Sequence, residues 1–321
     1  MPAKYARLLG VLRKVGILVG FAILLRQLYL VRADVTSFLE KPHNWGMIAV
    51  SLLLTLVAAV VQISIWYLVL RLFDVKARYV RILLRTSLFL LPKYIPGTVW
   101  GYISRSEWLK QEMGIEQSTS NAATVLEIAF ILSAILIISP WYFGWGTLYP
   151  VLIIVLTTAG FYLVLLWLSR KPLKNPVIGT DRLKSPSMLH IMLIQAMGIA
   201  VWGIFGLSFY FLTEQPLNLL LTGGGIILAA RFGLTFSIAW LIGFAIFFIP
   251  SGLGIREGTF SSLLLQQNLL TSATLYYAIV FRVLITLSEL ILIGCGLLSF
   301  SGKVIRPAAS TDENNMPPPG E

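Results

Sequence analysis

Four ionisable side chains lie inside apolar stretches of this sequence, where a charge needs either a partner or a role. They are Glu127, Arg231, Arg282 and Glu289. A charge at the centre of a bilayer costs about 2.5 to 3.5 kcal/mol on insertion scales. Residues kept at that cost predict a polar site within the membrane, able to handle a charged group or a proton.

Glu127 has two interpretations. Asn121 and Thr124 precede it by six and three residues and form a polar stripe on one helical face. In the first interpretation, Glu127 makes a structural ion pair with Arg105 or Arg256. In the second, such a pair lines a cavity and handles a charged head group or a proton. The residues alone leave both open.

The other three charges differ in how much they predict. Arg282 and Glu289 are seven residues apart, on one helical face and about 10 Å from each other. That separation is too long for a direct ion pair, so each is expected to find a partner on another helix. For Arg231, a place in a short cytoplasmic turn is the simpler interpretation.

Proline and glycine break two apolar stretches close to these charges. The predicted breaking residues are Pro92, Pro96, Gly97, Pro250, Gly252 and Gly254. Every backbone N–H and C=O needs a partner in hydrocarbon, so a broken helix persists there only when buried in protein or beside a wet cavity. A helix that starts after the second break would present free N–H groups to an anion. A lipid phosphate is a reasonable ligand for these groups. The predicted head-group site contains Lys93, Tyr94, Arg105, Glu127, Arg256, Glu257, Arg282 and Glu289.

The composition predicts which elements hold this site. With 57% apolar and 12% charged residues over 321 positions, the chain is not an ordinary soluble domain. Continuous apolar runs near or above the roughly 20 residues that span a bilayer indicate helices rather than barrel strands. The clearest runs are Trp45 to Phe73, Thr119 to Tyr142, Leu148 to Ser169, Met188 to Leu212 and Ala273 to Ser301.

The predicted fold is all-α, a polytopic bundle of about eight transmembrane helices plus two re-entrant hairpins. A first helix is expected at Val15 to Val31, despite Arg26 within it. The stretch Leu217 to Ile249 is predicted to supply two short crossings, since Gly223 to Gly225 and Arg231 interrupt it. Residues 1–301 are expected to form one membrane domain, and residues 302–321 a disordered polar cytoplasmic tail.

Charge in the loops predicts the orientation. The segments 71–85 and 170–184 are basic, whereas 140–148 carries no charge and is rich in Trp and Tyr. Basic loops stay cytoplasmic, so the net charge of +11 is explained by topology and anionic lipid heads rather than by nucleic acid. Ile82 to Ile103 must then enter and leave on one side, as a re-entrant hairpin. The protein is expected in the cell membrane with both termini cytoplasmic.

The two breaks also resemble each other. Both read Ile-Pro with a glycine one or two residues later and an arginine beyond it, Arg105 or Arg256. Each is followed by a span that carries a charge. Inverted repeats with discontinuous helices are built in this way in several secondary transporters, so the chain suggests a repeat of this kind.

Taken together, these residues resemble the lysylphosphatidylglycerol synthase transmembrane region, a flippase-like family of integral membrane proteins. The resemblance extends from about Val15 to Ser301, and its most specific element is Pro-x-Gly-x-Gly-x-Arg-Glu. Ser251 stands where many members have glycine, and Lys93-Tyr94 precede the first Pro-Gly. The residues that carry the resemblance are Pro96-Gly97, Arg105, Gly114-Ile115, Glu127, Ile249 to Glu257, and Arg282.

The resemblance implies a translocation domain with re-entrant hairpins that moves a lipid with a polar head between leaflets. In two-domain members a soluble aminoacyl transferase follows; here a short polar tail follows, so aminoacylation is expected to be absent or supplied elsewhere. Stand-alone members often accompany glycolipid, polyprenyl-phosphate or hopanoid pathways.

Three functions are therefore considered. The first is flipping or scrambling of a phospholipid, a glycolipid or a polyprenyl-phosphate-linked lipid, whose head group is anionic or contains phosphate. The second is an integral membrane glycosyltransferase that uses a lipid-linked sugar. The third is an accessory subunit of a lipid or glycan synthesis complex. No metal, cofactor or catalytic arrangement is predicted from the residue pattern. The lipid-translocation hypothesis predicts a protein that is not an enzyme.

Overall fold

The fold of the chain is a bundle of α-helices. A computed structural model describes residues 29, 44–91, 100–142, 144, 146, 148–175, 177–246, 249–270 and 273–301. The helices are α1 (Trp45–Leu72), α2 (Tyr79–Leu88), α3 (Trp100–Met113), α4 (Gln117–Tyr142), α5 (Leu148–Arg170), α6 (Met188–Leu212), α7 (Leu217–Leu221), α8 (Gly224–Ala245), α9 (Ile255–Gln266) and α10 (Thr274–Ser301).

Six of the described helices are long and apolar enough to cross a bilayer, as expected for a multi-pass membrane protein: α1, α4, α5, α6, α8 and α10. Five of them coincide with the five clearest apolar runs of the sequence, because the length of such a run is a direct measure of what can span the hydrocarbon. The predicted helix at Val15 to Val31 lies outside the described residues, apart from Tyr29. The predicted tail, 302–321, lies outside them as well.

The prediction of two short crossings between Leu217 and Ile249 is wrong. A single helix, α8, runs from Gly224 to Ala245 and passes through Arg231 without a break. The glycines mark where the helix begins rather than a bend within it, since Gly223 has a φ of 85° at the N-cap. Arg231 is exposed two turns into the helix, where its long side chain can reach the membrane interface.

The centre of the bundle is α6, which makes the two most extensive helix–helix contacts of the described structure, with α1 and with α8. The contact with α8 is close because two glycines face each other. A Cβ added to Gly206 would stand 2.0 Å from the carbonyl oxygen of Ala229, and one added to Gly233 would stand 2.2 Å from that of Trp202. Small residues at a crossing let helix backbones approach in this way.

Aromatic rings fill the core on one side of this crossing. Phe209 lies 4.8 Å from Phe260 and 5.2 Å from Phe281, ring centre to ring centre, in edge-to-face arrangements. Phe236 contacts the same two rings at 5.3 and 5.1 Å. Edge-to-face pairs are a favoured geometry for aromatic side chains, and this cluster joins α6 and α8 to α9 and α10.

The two basic segments, 71–85 and 170–184, contact each other at one end of the bundle. Lys184 forms an ion pair of 2.7 Å with Asp74, just beyond the end of α1. The hydrogen bond from Lys184 lowers the pKa of the Asp74 carboxyl. At the other end of α1, the Asn44 N–H donates to Glu214, beyond the end of α6. Segments 71–85 and 170–184 therefore lie at the same end of the bundle, as their charge predicts.

Candidate functional site

A cavity of about 190 Å³ lies within the bundle. Eight helices contribute to its wall, together with the turn at Ser251 and Gly252. Its polar and charged lining residues are Gln62, Thr86, Tyr102, Arg105, Glu127, Ser251, Arg256 and Glu289. Four charged residues singled out from the sequence, Arg105, Glu127, Arg256 and Glu289, thus line one space although they belong to four different helices.

Arg105 and Glu127 form an ion pair on the wall of this cavity. Arg105 Nη2 lies 2.6 Å from a Glu127 carboxylate oxygen, and both side chains are more than nine-tenths buried. The same nitrogen donates to the Thr124 hydroxyl at 3.2 Å, on the polar stripe that the sequence indicates. Of the two arginines considered as partners of Glu127, Arg105 is the one that pairs with it. The pair both ties α3 to α4 and faces the cavity, so the two interpretations of Glu127 are compatible.

Trp66 supports this arginine from the other side. The Arg105 guanidinium carbon stands 3.4 Å from the centre of the Trp66 ring and 5.2 Å from that of Tyr102. Trp66 lies on α1 and is fully buried. A cation above an indole face is stabilised by the ring quadrupole, more strongly where water is excluded. Trp66 is not among the residues predicted from sequence, where a tryptophan within an apolar span carries no sign of its partner.

The second break is a tight turn in which three of five residues have a positive φ. Residues Pro250–Gly252 form one turn of 3₁₀ helix, in which Ser251 has a φ of 52° and Gly252 a φ of 64°. Gly254 follows with a φ of 82° and precedes α9. A positive φ is costly for a side chain such as serine and easy for glycine.

Arg282 and Glu257 hold this turn. Arg282 Nη2 donates to the Ser251 hydroxyl at 2.6 Å and to its carbonyl oxygen at 3.2 Å. The Gly254 N–H donates to one Glu257 carboxylate oxygen at 2.6 Å, and the other lies 3.7 Å from Arg282 Nε. Both residues were predicted to bind a head group. They are not among the residues that line the cavity; with Arg256, they line a separate space of about 10 Å³.

Arg256 and Glu289 reach the cavity from the second half of the chain. Arg256, the second residue of α9, has its guanidinium carbon 5.8 Å from the centre of the Trp240 ring. Glu289, on α10, is buried with 6% of its surface exposed. Arg282, seven residues before it, bonds to the turn at Ser251 rather than to Glu289, as their spacing predicts. Each half of the chain thus contributes an arginine over a tryptophan ring and a buried glutamate.

Some predicted site residues cannot be placed. Lys93, Tyr94, Pro92, Pro96 and Gly97 lie outside the described residues. Within the described ranges, no three His, Cys, Asp or Glu side chains come together as a metal site would require.

No family model, curated protein or solved structure matches the chain. The resemblance to the lysylphosphatidylglycerol synthase transmembrane region therefore stays a prediction from the residues quoted above. What the chain does has to be argued from its own geometry.

Ser251 offers a test of how the turn is held. Ser251→Ala removes the hydrogen bond to Arg282, worth about 1.5 to 3 kcal/mol for a charged donor, and keeps the strained φ. Ser251→Gly also loses the bond but relieves a strain of roughly 1 to 2 kcal/mol. Ser251→Ala should therefore have a lower free energy of unfolding than Ser251→Gly. Denaturant titration in mixed micelles measures both. Equal free energies of unfolding in the two variants would show that the turn is unstrained. Ser133→Ala is the control, because the Ser133 hydroxyl donates to the Phe130 carbonyl within its own helix.

Proposed function

We propose that the protein moves a lipid with a phosphate-bearing head group from one leaflet to the other, by flipping or scrambling. The observation that carries this proposal is the cavity inside an apolar bundle, lined by two arginines and two glutamates. Burying four charged side chains is expensive unless they are paired or used. A charged lipid head group needs a polar cavity of this kind to cross the hydrocarbon.

The size of the cavity supports a head group as its occupant. Pockets that enclose whole drug-sized molecules measure about 300 to 1,000 Å³, whereas this one measures about 190 Å³. The acyl chains of a lipid would not fit, and they gain nothing by leaving the hydrocarbon. The proposed path therefore takes the polar head through the protein while the chains stay in the bilayer.

Short helices beside the two breaks suggest how the path opens. Helices α2, α3 and α9 have ten, fourteen and twelve residues, or about 15, 21 and 18 Å, and none is long enough to cross a core of about 30 Å. Arg81 in the first turn of α2 and Arg85 in its last turn both bond to Glu112 at the end of α3. This pairing supports a first hairpin that enters and leaves on one side.

The second break is proposed to open to the opposite side. Gly296, near the end of α10, lies against Leu84 of α2, which places the start of α10 at the far end of the bundle. The Ser261 hydroxyl on α9 bonds to the hydroxyl of Thr274, the first residue of α10, at 2.7 Å. Helix α9 therefore runs from the cavity toward that far end. Two half-helices that meet at a central site from opposite sides are the pattern of inverted-repeat transporters.

Reconstitution tests the proposal directly. Purified protein in liposomes should speed the transbilayer movement of a fluorescently labelled phospholipid well above that in protein-free liposomes. Movement no faster than in the protein-free liposomes would overturn the proposal. Release of sugar from a labelled lipid-linked donor, without lipid movement, would favour the glycosyltransferase instead.

Two arginines of the second half form a matched pair of variants for this assay. Arg256 lines the cavity, whereas Arg231 is exposed on α8. Arg256→Ala should lower the transport rate at least about tenfold, since one lost charged hydrogen bond is worth about 1.5 to 3 kcal/mol and 1.4 kcal/mol is a factor of ten. Arg231→Ala should leave it unchanged. Equal rates in the two variants would reject Arg256 as a site residue.

A further inference from the structure

Thr86 lines the cavity and carries a hydroxyl group that nothing in the described part of the chain satisfies. It lies on α2, is 5% exposed and lines the cavity wall, and its Oγ1 has no hydrogen-bond partner among the described residues. Its neighbour Ser87 donates to the carbonyl of Leu84 three residues back, and Thr124 donates to Ser120 four residues back. Buried hydroxyls in helices normally do this, because an unpaired one costs free energy.

Arg105 also has a buried N–H donor without a hydrogen-bond partner among the described residues. Its Nη2 is used by Glu127 and Thr124, but its Nε is buried without a hydrogen-bond partner within the described ranges. Thr86 and Arg105 come from the two helices that flank the first break, and both line the cavity. Two buried, unsatisfied groups on the wall of one cavity indicate a ligand atom that would satisfy them.

The two groups also restrict the chemistry of that atom. An arginine Nε–H can only donate, and a threonine hydroxyl can donate at the same time. A ligand that meets both must therefore offer acceptor oxygens, and it cannot be an ammonium group, which carries donors alone. Phosphate oxygens suit an arginine N–H best, since such bonds are charge-assisted. Arg256 lines the same cavity and adds a second positive charge.

We infer that Thr86 and Arg105 Nε form a subsite for the non-ester oxygens of a phosphate group, with Thr86 as a specificity-determining residue. This inference rests on the proposed function for the statement that the phosphate belongs to a lipid. The subsite itself follows from the two unsatisfied groups and from the cavity that both residues line.

Thr86→Val tests the subsite because valine keeps the shape of threonine and removes the hydroxyl. Since the hydroxyl is unsatisfied in the protein without ligand, the unfolding midpoint in detergent should stay the same or rise. Affinity for a phospholipid in nanodiscs should fall about tenfold, the equivalent of one hydrogen bond of 1.4 kcal/mol. Thr86→Ser restores the hydroxyl and should bind within about twofold of the original protein. A purely structural threonine would instead lose stability and keep its affinity.

The control for a Thr-to-Val change in a buried helix is Thr55. It lies on α1, is fully buried and donates to the carbonyl of Leu52, and it is not among the cavity-lining residues. Thr55→Val should leave phospholipid affinity unchanged. Equal affinity losses in Thr55→Val and Thr86→Val would overturn the subsite.

Binding is measured with three probes so that the source of the phosphate is identified. These are a phospholipid with a single phosphodiester, inorganic phosphate, and a diacylglycerol with the same chains and no phosphate. We expect binding of the first, lost in Thr86→Val, and none of the third. Thr86-dependent binding of inorganic phosphate with no phospholipid binding supports the subsite and contradicts lipid translocation. Binding of any probe that is insensitive to Thr86→Val, or no binding of either phosphate source, overturns the subsite even if liposomes show transport.

Discussion

Arg105→Ala is expected to lower the free energy of unfolding by about 3 to 5 kcal/mol and to abolish lipid movement. The variant leaves Glu127 as a buried carboxylate, 6% exposed, without the arginine that lies 2.6 Å from it. Removing one partner of a buried ion pair costs this much because the remaining charge is neither solvated nor paired. The stacking of the guanidinium on Trp66 at 3.4 Å is lost at the same time. Denaturant titration in mixed micelles measures the first effect and the liposome assay the second.

Stability and transport have to be separated, since an unfolded protein moves no lipid. The double variant Arg105→Met and Glu127→Leu replaces the pair by apolar side chains of similar size, a change that is often neutral or stabilising by about 1 to 4 kcal/mol. We expect it to recover most of the stability and none of the transport. Transport at the original rate in the double variant would show that the pair only ties α3 to α4.

An exposed ion pair serves as the control. Arg81 pairs with Glu112 at 2.9 Å, but about half of its side chain is exposed, and Arg85 bonds to the same carboxylate. Exposed pairs contribute at most about 1 kcal/mol, so Arg81→Ala should change the unfolding free energy by less than that and leave transport intact. A loss as large as that of Arg105→Ala would point to a general effect of removing an arginine from this region.

Much of this site can be predicted from the sequence because charges in apolar segments are few and costly. Glu127 and Glu289 stand out for that reason, and Arg105 and Arg256 stand out because each follows a Pro/Gly break. All four line the cavity. The rule does not say which charge serves which purpose. Arg282 stands out equally, yet it bonds to the strained turn at Ser251.

Thr86 and Trp66 are beyond such a prediction. A hydroxyl or an indole is common within membrane helices. Only the fold shows that Thr86 lines a cavity with its hydroxyl unsatisfied among the described residues, and that Trp66 supports an arginine 39 residues later in the chain. The buried face of each span is hidden for a related reason. In a soluble helix the apolar face marks the core, whereas in a bilayer the lipid-facing side is apolar too. The prediction of a break at Gly223 to Gly225 is wrong because a glycine that starts a helix looks the same in sequence as one that interrupts it.

The second large effect is expected at the crossing of α6 and α8. Gly206→Ala would place a methyl group 2.0 Å from the carbonyl oxygen of Ala229 and 2.5 Å from the amide nitrogen of Gly233. Both are backbone atoms of another helix, so no change of rotamer relieves the contact and the helices must separate. Overpacking of a core costs about 1 to 3 kcal/mol where neighbours can adjust, and we expect at least the upper value here. The free energy of unfolding in mixed micelles measures it.

Gly203→Ala is the matched control, since it makes the same change on the same helix. Gly203 is exposed, and a Cβ there meets nothing within 4 Å among the described residues. Alanine favours a helix over glycine by about 1 kcal/mol, so this variant should be unchanged or more stable. Comparable losses in Gly203→Ala and Gly206→Ala would mean that the close crossing is not what stabilises the bundle.

The crossing also connects packing to the proposed function. Trp202 and Phe205 on α6, and Phe236 and Trp240 on α8, line the cavity and contact one another at ring distances of 5.3 to 6.3 Å. Separating the two helices would move one aromatic wall of the cavity away from the other. Gly206→Ala should therefore lose transport even in lipid mixtures or at temperatures where it stays folded. A folded Gly206→Ala protein that moves lipid at the original rate would show that transport does not depend on the shape of this cavity.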